Sequence, residues 1–197
     1  MAKYFIVTLF LFSSVLFGTA AKADEVRLGF GFQDVEVEGI GGVKGKEKGN
    51  AITLEYVTDE VEFLDFALKP KAYIGGTLNI SGDTSYGGAG LLWDTDLSNA
   101  FNVEFSFGAV IHDGELELPL PSTATSAAEL AEFERLNAEN IEFGSRVLFR
   151  SQFAAGYRVS EDINLQIYYE HLSHGKILSN GSNEGLDTLG IRIGKRF

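Results

Sequence analysis

The sequence predicts an all-β protein, an eight-stranded antiparallel transmembrane β-barrel of the bacterial outer membrane. Three observations predict it. The chain opens on an export signal, and eight segments then alternate large apolar residues with polar or small ones. The last of these, Leu189 to Phe197, ends on an aromatic. Alternation with a period of two places successive side chains on opposite faces of a strand. A barrel standing in lipid needs an apolar outer face and a polar inner one, so the two faces have different work.

The leader comes first. Lys3 supplies a positive n-region, Tyr4 to Phe17 an apolar h-region, and Ala21-Lys22-Ala23 a small-x-small site, so residues 1–23 are expected to be cleaved before Asp24. The apolar run is short for a membrane helix and is broken by Ser13 and Ser14. Val26 to Phe32 forms the first strand, and the Gly-rich residues 34–49 read as a loop. Ile52, Leu54 and Tyr56 share a face of the second strand, with a turn expected at Thr58-Asp59-Glu60. The third runs from about Leu68 to Ile80; Pro70 has no N–H for a ladder and marks a strand start or a bulge.

Ser81-Gly82-Asp83 turns the chain into a fourth strand, Ser85 to Trp93. The fifth is the clearest: Phe101, Val103, Phe105, Phe107, Ala109 and Ile111 lie against Asn102, Glu104, Ser106 and Gly108. His112, at its end beside Asp113, is expected to be a solvated loop-edge residue. Residues 113–140 form the longest insertion, a partly helical extracellular loop in which Ser126 caps a helix over Ala127 to Glu134. The sixth strand runs from Phe143 to Tyr157, and Arg146, Arg150 and Arg158 are expected to pair with Glu104 and other acids inside the barrel. Asn164 to Ser173 and Asp187 to Phe197 complete the eight. Long connections at 34–49, 113–140 and 174–186 share one end with the Ser81 turn, and brief turns near Thr58, Asp94 and Ser160 share the other. Short periplasmic turns and longer outside loops are the outer-membrane pattern.

Composition bounds the function. Asp and Glu number 28 against 16 Lys and Arg, and the leader carries away Lys3 and Lys22, which argues against a nucleic-acid partner. With no cysteine there is neither a disulfide framework nor thiol chemistry. Residues 24–197 suit one barrel domain.

Chemistry concentrates in Tyr168-Tyr169-Glu170-His171-Leu172-Ser173-His174-Gly175, which holds two of the three histidines. His171 and Ser173 share a strand face, their Cα atoms about 6.6 Å apart. They continue the lipid-facing set Leu165, Ile167 and Tyr169, and Asp187 extends the outward set of the next strand. All three should gather on the outer wall at the extracellular rim. A hydroxyl, an imidazole and a carboxylate there form the nucleophile, base and orienter of acyl transfer, facing a lipid substrate. A second reading stands beside it: the polar residues mark where a strand leaves the membrane. There is no Gly-x-Ser-x-Gly elbow, so an α/β-hydrolase is excluded. Glu170 points to the opposite face from His171, against a metal site.

These residues resemble a known family. His171-Leu172-Ser173, then Asn183-Glu184-Gly185-Leu186-Asp187 and an aromatic-ended strand, are similar to the outer-membrane lipid A 3-O-deacylases (PagL family), whose pattern is roughly His-x-Ser-Asn, a short loop, and Asn-x-Gly-Ile-Glu. The specific resemblance covers about the last 30 residues. It implies an ester hydrolase acting on lipid A of lipopolysaccharide in the outer leaflet, without cofactor or metal, as a monomer or homodimer. Ser173 would be the nucleophile, His171 the general base and Asp187 the acid. His174 stands where the family has an oxyanion-stabilising Asn, so His174, with Gly175, is the expected oxyanion or accessory group. Asp187 stands where the family has Glu. The competing class is a non-enzymatic small barrel of the structural or adhesion kind.

Overall fold

A computed structural model describes residues 24–33, 35 and 45–197. The expected signal peptide, and residues 34 and 36–44 of the first loop, lie outside them. The alternating segments become β1 (Glu25–Gln33), β2 (Asn50–Glu60), β3 (Lys71–Asn79), β4 (Tyr86–Asp96), β5 (Phe101–His112), β6 (Val147–Arg158), β7 (Ile163–Ser173) and β8 (Leu186–Arg196). Each pairs antiparallel with its sequence neighbours, and β1 closes on β8, Leu28 opposite Ile193 and Phe32 opposite Leu189. Closure leaves no sheet edge with unpaired backbone groups, which a strand in lipid could not tolerate.

The two faces divide as the parity requires. Leu28, Leu54, Ile74, Ile111, Phe153, Ile167 and Ile191 stand out from the wall, each more than half exposed. Such a belt belongs against hydrocarbon. Aromatic rings run along it from Trp93 to Phe105 to Phe153, with centroids 5.9 and 4.9 Å apart. The interior is lined by buried ion pairs. Arg27 binds Glu25 and Glu104; Arg192 binds Glu55 at 2.7 Å and Glu104 at 2.6 Å; Arg150 binds Glu55 at 2.5 Å and also Glu170. Charges out of water persist only when paired in this way.

Several expectations are corrected here. Glu104 pairs with Arg27 and Arg192, not with the arginines of the sixth strand. Arg158 instead meets Asp96 at the short-turn end, and Arg146 donates to the carbonyls of His112 and Gly114. His112 is not solvated: it is buried, its Nε2 lies 2.7 Å from the Ser145 carbonyl and its ring packs on Phe143 at 4.4 Å. The turn expected at Thr58 lies further on, because β2 continues through a bulge to Glu60 and a 3-10 segment, Glu62–Ala67, precedes Pro70. Pro70 does precede the strand, its carbonyl accepting from Val61 N–H at 2.8 Å.

The long insertion does more than loop outward. Its helix, α1 (Ala127–Glu139), starts where expected, with the Ser126 side chain accepting from Glu129 N–H. Beyond it the sixth strand begins four residues later than Phe143, because Ile141 and Phe143 turn inward. They plug the long-loop mouth with Tyr86, Val110, Leu148, Leu172 and Leu186. Leu172 and Leu186 are fully buried, and they are the inward neighbours of His171, Ser173 and Asp187. The plug therefore braces the two strand ends that hold the candidate residues.

Candidate active site

Register brings the first pair together. His171 on β7 lies directly opposite Asp187 on β8, and cross-strand partners on one face are the closest side-chain neighbours a sheet offers. His171 Nδ1 is 2.6 Å from Asp187 Oδ1. Asp187 is 2% exposed, with its second oxygen, Oδ2, shielded from solvent. A carboxylate so placed fixes the ring's orientation, with Nδ1 as the donor and Nε2 left free on the side away from β8.

Ser173 stands on the same face two residues along, half-buried, at the last position of β7. Its hydroxyl makes no hydrogen bond to His171 among the described residues; in unliganded enzymes this leg is often long and tightens with substrate. Ser151 was missed by sequence reading. It is the β6 residue paired with His171, on the flank opposite Asp187, so His171 has a hydroxyl-bearing neighbour there as well as along its own strand. Parity along β6 was the available signal, since Ser151 falls among the outward set Phe149, Phe153 and Tyr157.

His174 serves a different purpose from the one expected. It is fully buried, its Nδ1 accepts from Lys176 N–H at 3.2 Å and its Nε2 lies 2.8 Å from the Ser182 carbonyl. A ring that accepts at Nδ1 and donates at Nε2 is neutral and has no N–H left over. The imidazole locks the β7–β8 turn and does not face the outer wall. Gly175 follows at φ +60, a left-handed conformation that glycine adopts without strain. The His174 backbone N–H is held by Asn183 Oδ1 at 2.9 Å, which anchors the Asn183 amide beside the residue after Ser173.

The turn is tied to its surroundings. Glu184 bridges Lys46 Nζ at 2.8 Å and the Glu142 N–H at 2.8 Å. Gly144, at φ +68, lies so close to the Ser182 main chain that any Cβ there would collide. Below His171 an apolar groove of about 700 Å³ runs down the wall, lined by Trp93, Phe105, Phe153, Ile167, Tyr169 and Leu189. Among the described residues no group of His, Cys, Asp and Glu is placed to hold a metal ion.

Comparison with known proteins agrees with the barrel fold. The chain superposes on the crystal structure of the outer membrane enzyme PagL with a TM-score of 0.55 at 10% identity, covering 87% of this chain and 98% of that one. Neisserial surface protein A (NspA) gives a TM-score of 0.56 at 11% identity, covering 91% and 100%. A de novo designed transmembrane β-barrel gives 0.51 at 10% identity, covering 91% and 98%. At these identities the likeness is one of fold. No curated protein sequence matches the chain. The family comparison reaches further, because the lipid A 3-O-deacylase (PagL) model matches residues 67–196, from the third strand through the whole constellation just described. By that match this outer-membrane barrel belongs to the lipid A 3-O-deacylase (PagL) family.

Proposed function

We propose that the protein hydrolyses the ester at the 3-position of lipid A, releasing a 3-hydroxy fatty acid, with Ser173, His171 and Asp187 as nucleophile, base and acid. The observation that carries this reading is the 2.6 Å His171–Asp187 pair on the lipid-facing wall, with Ser173 beside it. A buried carboxylate bonded to an outward imidazole has little structural purpose on a surface otherwise given to lipid. It has a clear catalytic one.

Nε2 of His171 takes the Ser173 hydroxyl proton as Oγ bonds to the ester carbonyl carbon. The tetrahedral oxyanion is met by N–H donors of the β7–β8 turn, for which the Gly175 backbone and the Asn183 side-chain amide are the available groups. Collapse breaks the bond to the sugar 3-oxygen, which takes the proton from His171. Water then attacks the acyl-serine by the same route, freeing the acid and restoring Ser173. The acyl chain lies in the groove beneath, between the Trp93–Phe105–Phe153 rings and Tyr169. No cofactor takes part.

Purified protein incubated with lipopolysaccharide and analysed by mass spectrometry tests the reading. Wild type should release one hydroxyacyl chain. Ser173→Ala should abolish release, while Ser151→Ala should retain most of it. The reverse pattern would move the nucleophile to β6, and no release by wild type across pH would favour the non-enzymatic barrel.

A further inference from the structure

Two polar atoms beside the His171–Asp187 pair are out of solvent and without a hydrogen bond: Asp187 Oδ2 and the Tyr169 hydroxyl. They belong to one spot. Tyr169 shares the outward face with His171 and sits opposite Leu189, so Asp187 is its diagonal neighbour across the β7–β8 ladder. Diagonal positions on one face are within reach of an aromatic side chain. A buried acceptor and a buried donor so placed need only a small side-chain rotation to satisfy each other, and neither gives up another bond in doing so.

We propose that Tyr169 is a positioning residue for the triad acid, its hydroxyl donating to Asp187 Oδ2 while His171 Nδ1 donates to Oδ1. The inference rests on the esterase reading above. It also accounts for a departure of this chain: Asp187 is one methylene shorter than the Glu of the family pattern, and a short carboxylate held at both oxygens keeps its plane toward His171. The tyrosine ring meanwhile covers the carboxylate from lipid.

Among the described residues no other charged group faces this spot from the paired strands. From β6 come Ser151 and Phe153, from β8 Asp187 and Leu189, and from β7 itself His171 and Ser173. Losing the hydroxyl strips the buried carboxylate of one donor and leaves its plane free to turn away from His171, so the ring is held less often with Nε2 toward the Ser173 hydroxyl.

The test is Tyr169→Phe, which removes one oxygen and keeps the ring, with Tyr157→Phe as an outward tyrosine on β6 far from the pair. Activity on lipopolysaccharide is followed against pH, and folding by heat-modifiable gel migration. The expected result is a kcat lowered roughly 10-fold or more at neutral pH with KM unchanged. The migration transition and the Tyr157→Phe enzyme should be as in wild type. The downfield proton resonance of the His171–Asp187 bond should shift in Tyr169→Phe. A kcat and a proton resonance equal to wild type would overturn the proposal and leave the esterase reading standing, as would a rise in KM alone, which would make Tyr169 only a wall of the groove. An inactive wild type would sink both together.

Discussion

A carboxylate taken out of water is costly unless both of its oxygens are met, and Glu47 sits on that balance. It is 5% exposed, its two oxygens accepting the N–H groups of Thr84 and Ile141, each at 3.2 Å. It thereby staples the first loop to the Ser81 turn and to the plug. Burial pushes its carboxyl above the usual 4.5, with the backbone hydrogen bonds working in the other direction. An acid whose folded value is raised contributes most to stability below its unfolded value, and that contribution is lost as pH rises through the folded value. The staple should therefore be tightest in mild acid. Amide exchange of Thr84 and Ile141, corrected for intrinsic rates, should be faster at about pH 7 than at about pH 4. Glu47→Gln should flatten that dependence, and an equally steep dependence in the variant would place the titration elsewhere. Residues of this kind, like Ser151 opposite His171, take their meaning from partners distant in sequence.

Strands show how depth changes the value of a side chain. Ile191 in β8 is 64% exposed and lies mid-strand between Phe30 on β1 and Ile167 on β7. An arginine there would stand in hydrocarbon, and Ile191→Arg should cost about 2–4 kcal/mol. Phe63 is more exposed, at 80%, but lies in the 3-10 segment at the short-turn end, beside Phe66 and Leu68. Phe63→Arg should cost only about 0–1 kcal/mol, as charges near the interface do. Urea unfolding in bilayers distinguishes the two, and equal costs would show that this wall does not face lipid at different depths. The same 3-10 segment explains why the turn expected at Thr58 moved. The fold inserts it between a bulged β2 and β3, with Ala67 accepting from the Trp93 indole at 2.8 Å.

The molecule as a whole is a filled cylinder, not a channel. Arg27, Arg150 and Arg192 interlock with Glu25, Glu55, Glu104 and Glu170, all of them buried, and Gln152 and Gln166 complete the bonds of Arg192 at 2.6 and 2.5 Å. A barrel so packed should carry no stepwise current in planar bilayers, and discrete channel openings would contradict the packing. The same network should be brittle. Arg192→Met leaves Glu55 and Glu104 each one cation short, and breaking buried pairs from one side costs about 3–5 kcal/mol. Its heat-modifiable transition should fall well below that of wild type, and an unchanged transition would mean that neighbouring arginines suffice.

The sequence alone determined the architecture, because a period of two and an apolar outer belt are local properties. Each strand states for itself which side faces lipid. Parity also placed His171, Ser173 and Asp187 on one wall, and the loop lengths placed them at its long-loop end. Only the tertiary structure decided which charges meet. Glu104 could have paired with any inward arginine, and the barrel's stagger gave it Arg27 and Arg192. It likewise turned His174 inward to lock a turn, set Ser151 beside the His171–Asp187 pair, and drew Ile141 and Phe143 into the mouth. Those choices rest on strand register and closure, in which a residue's neighbours are set by strands far away in the chain. No local pattern carries that information.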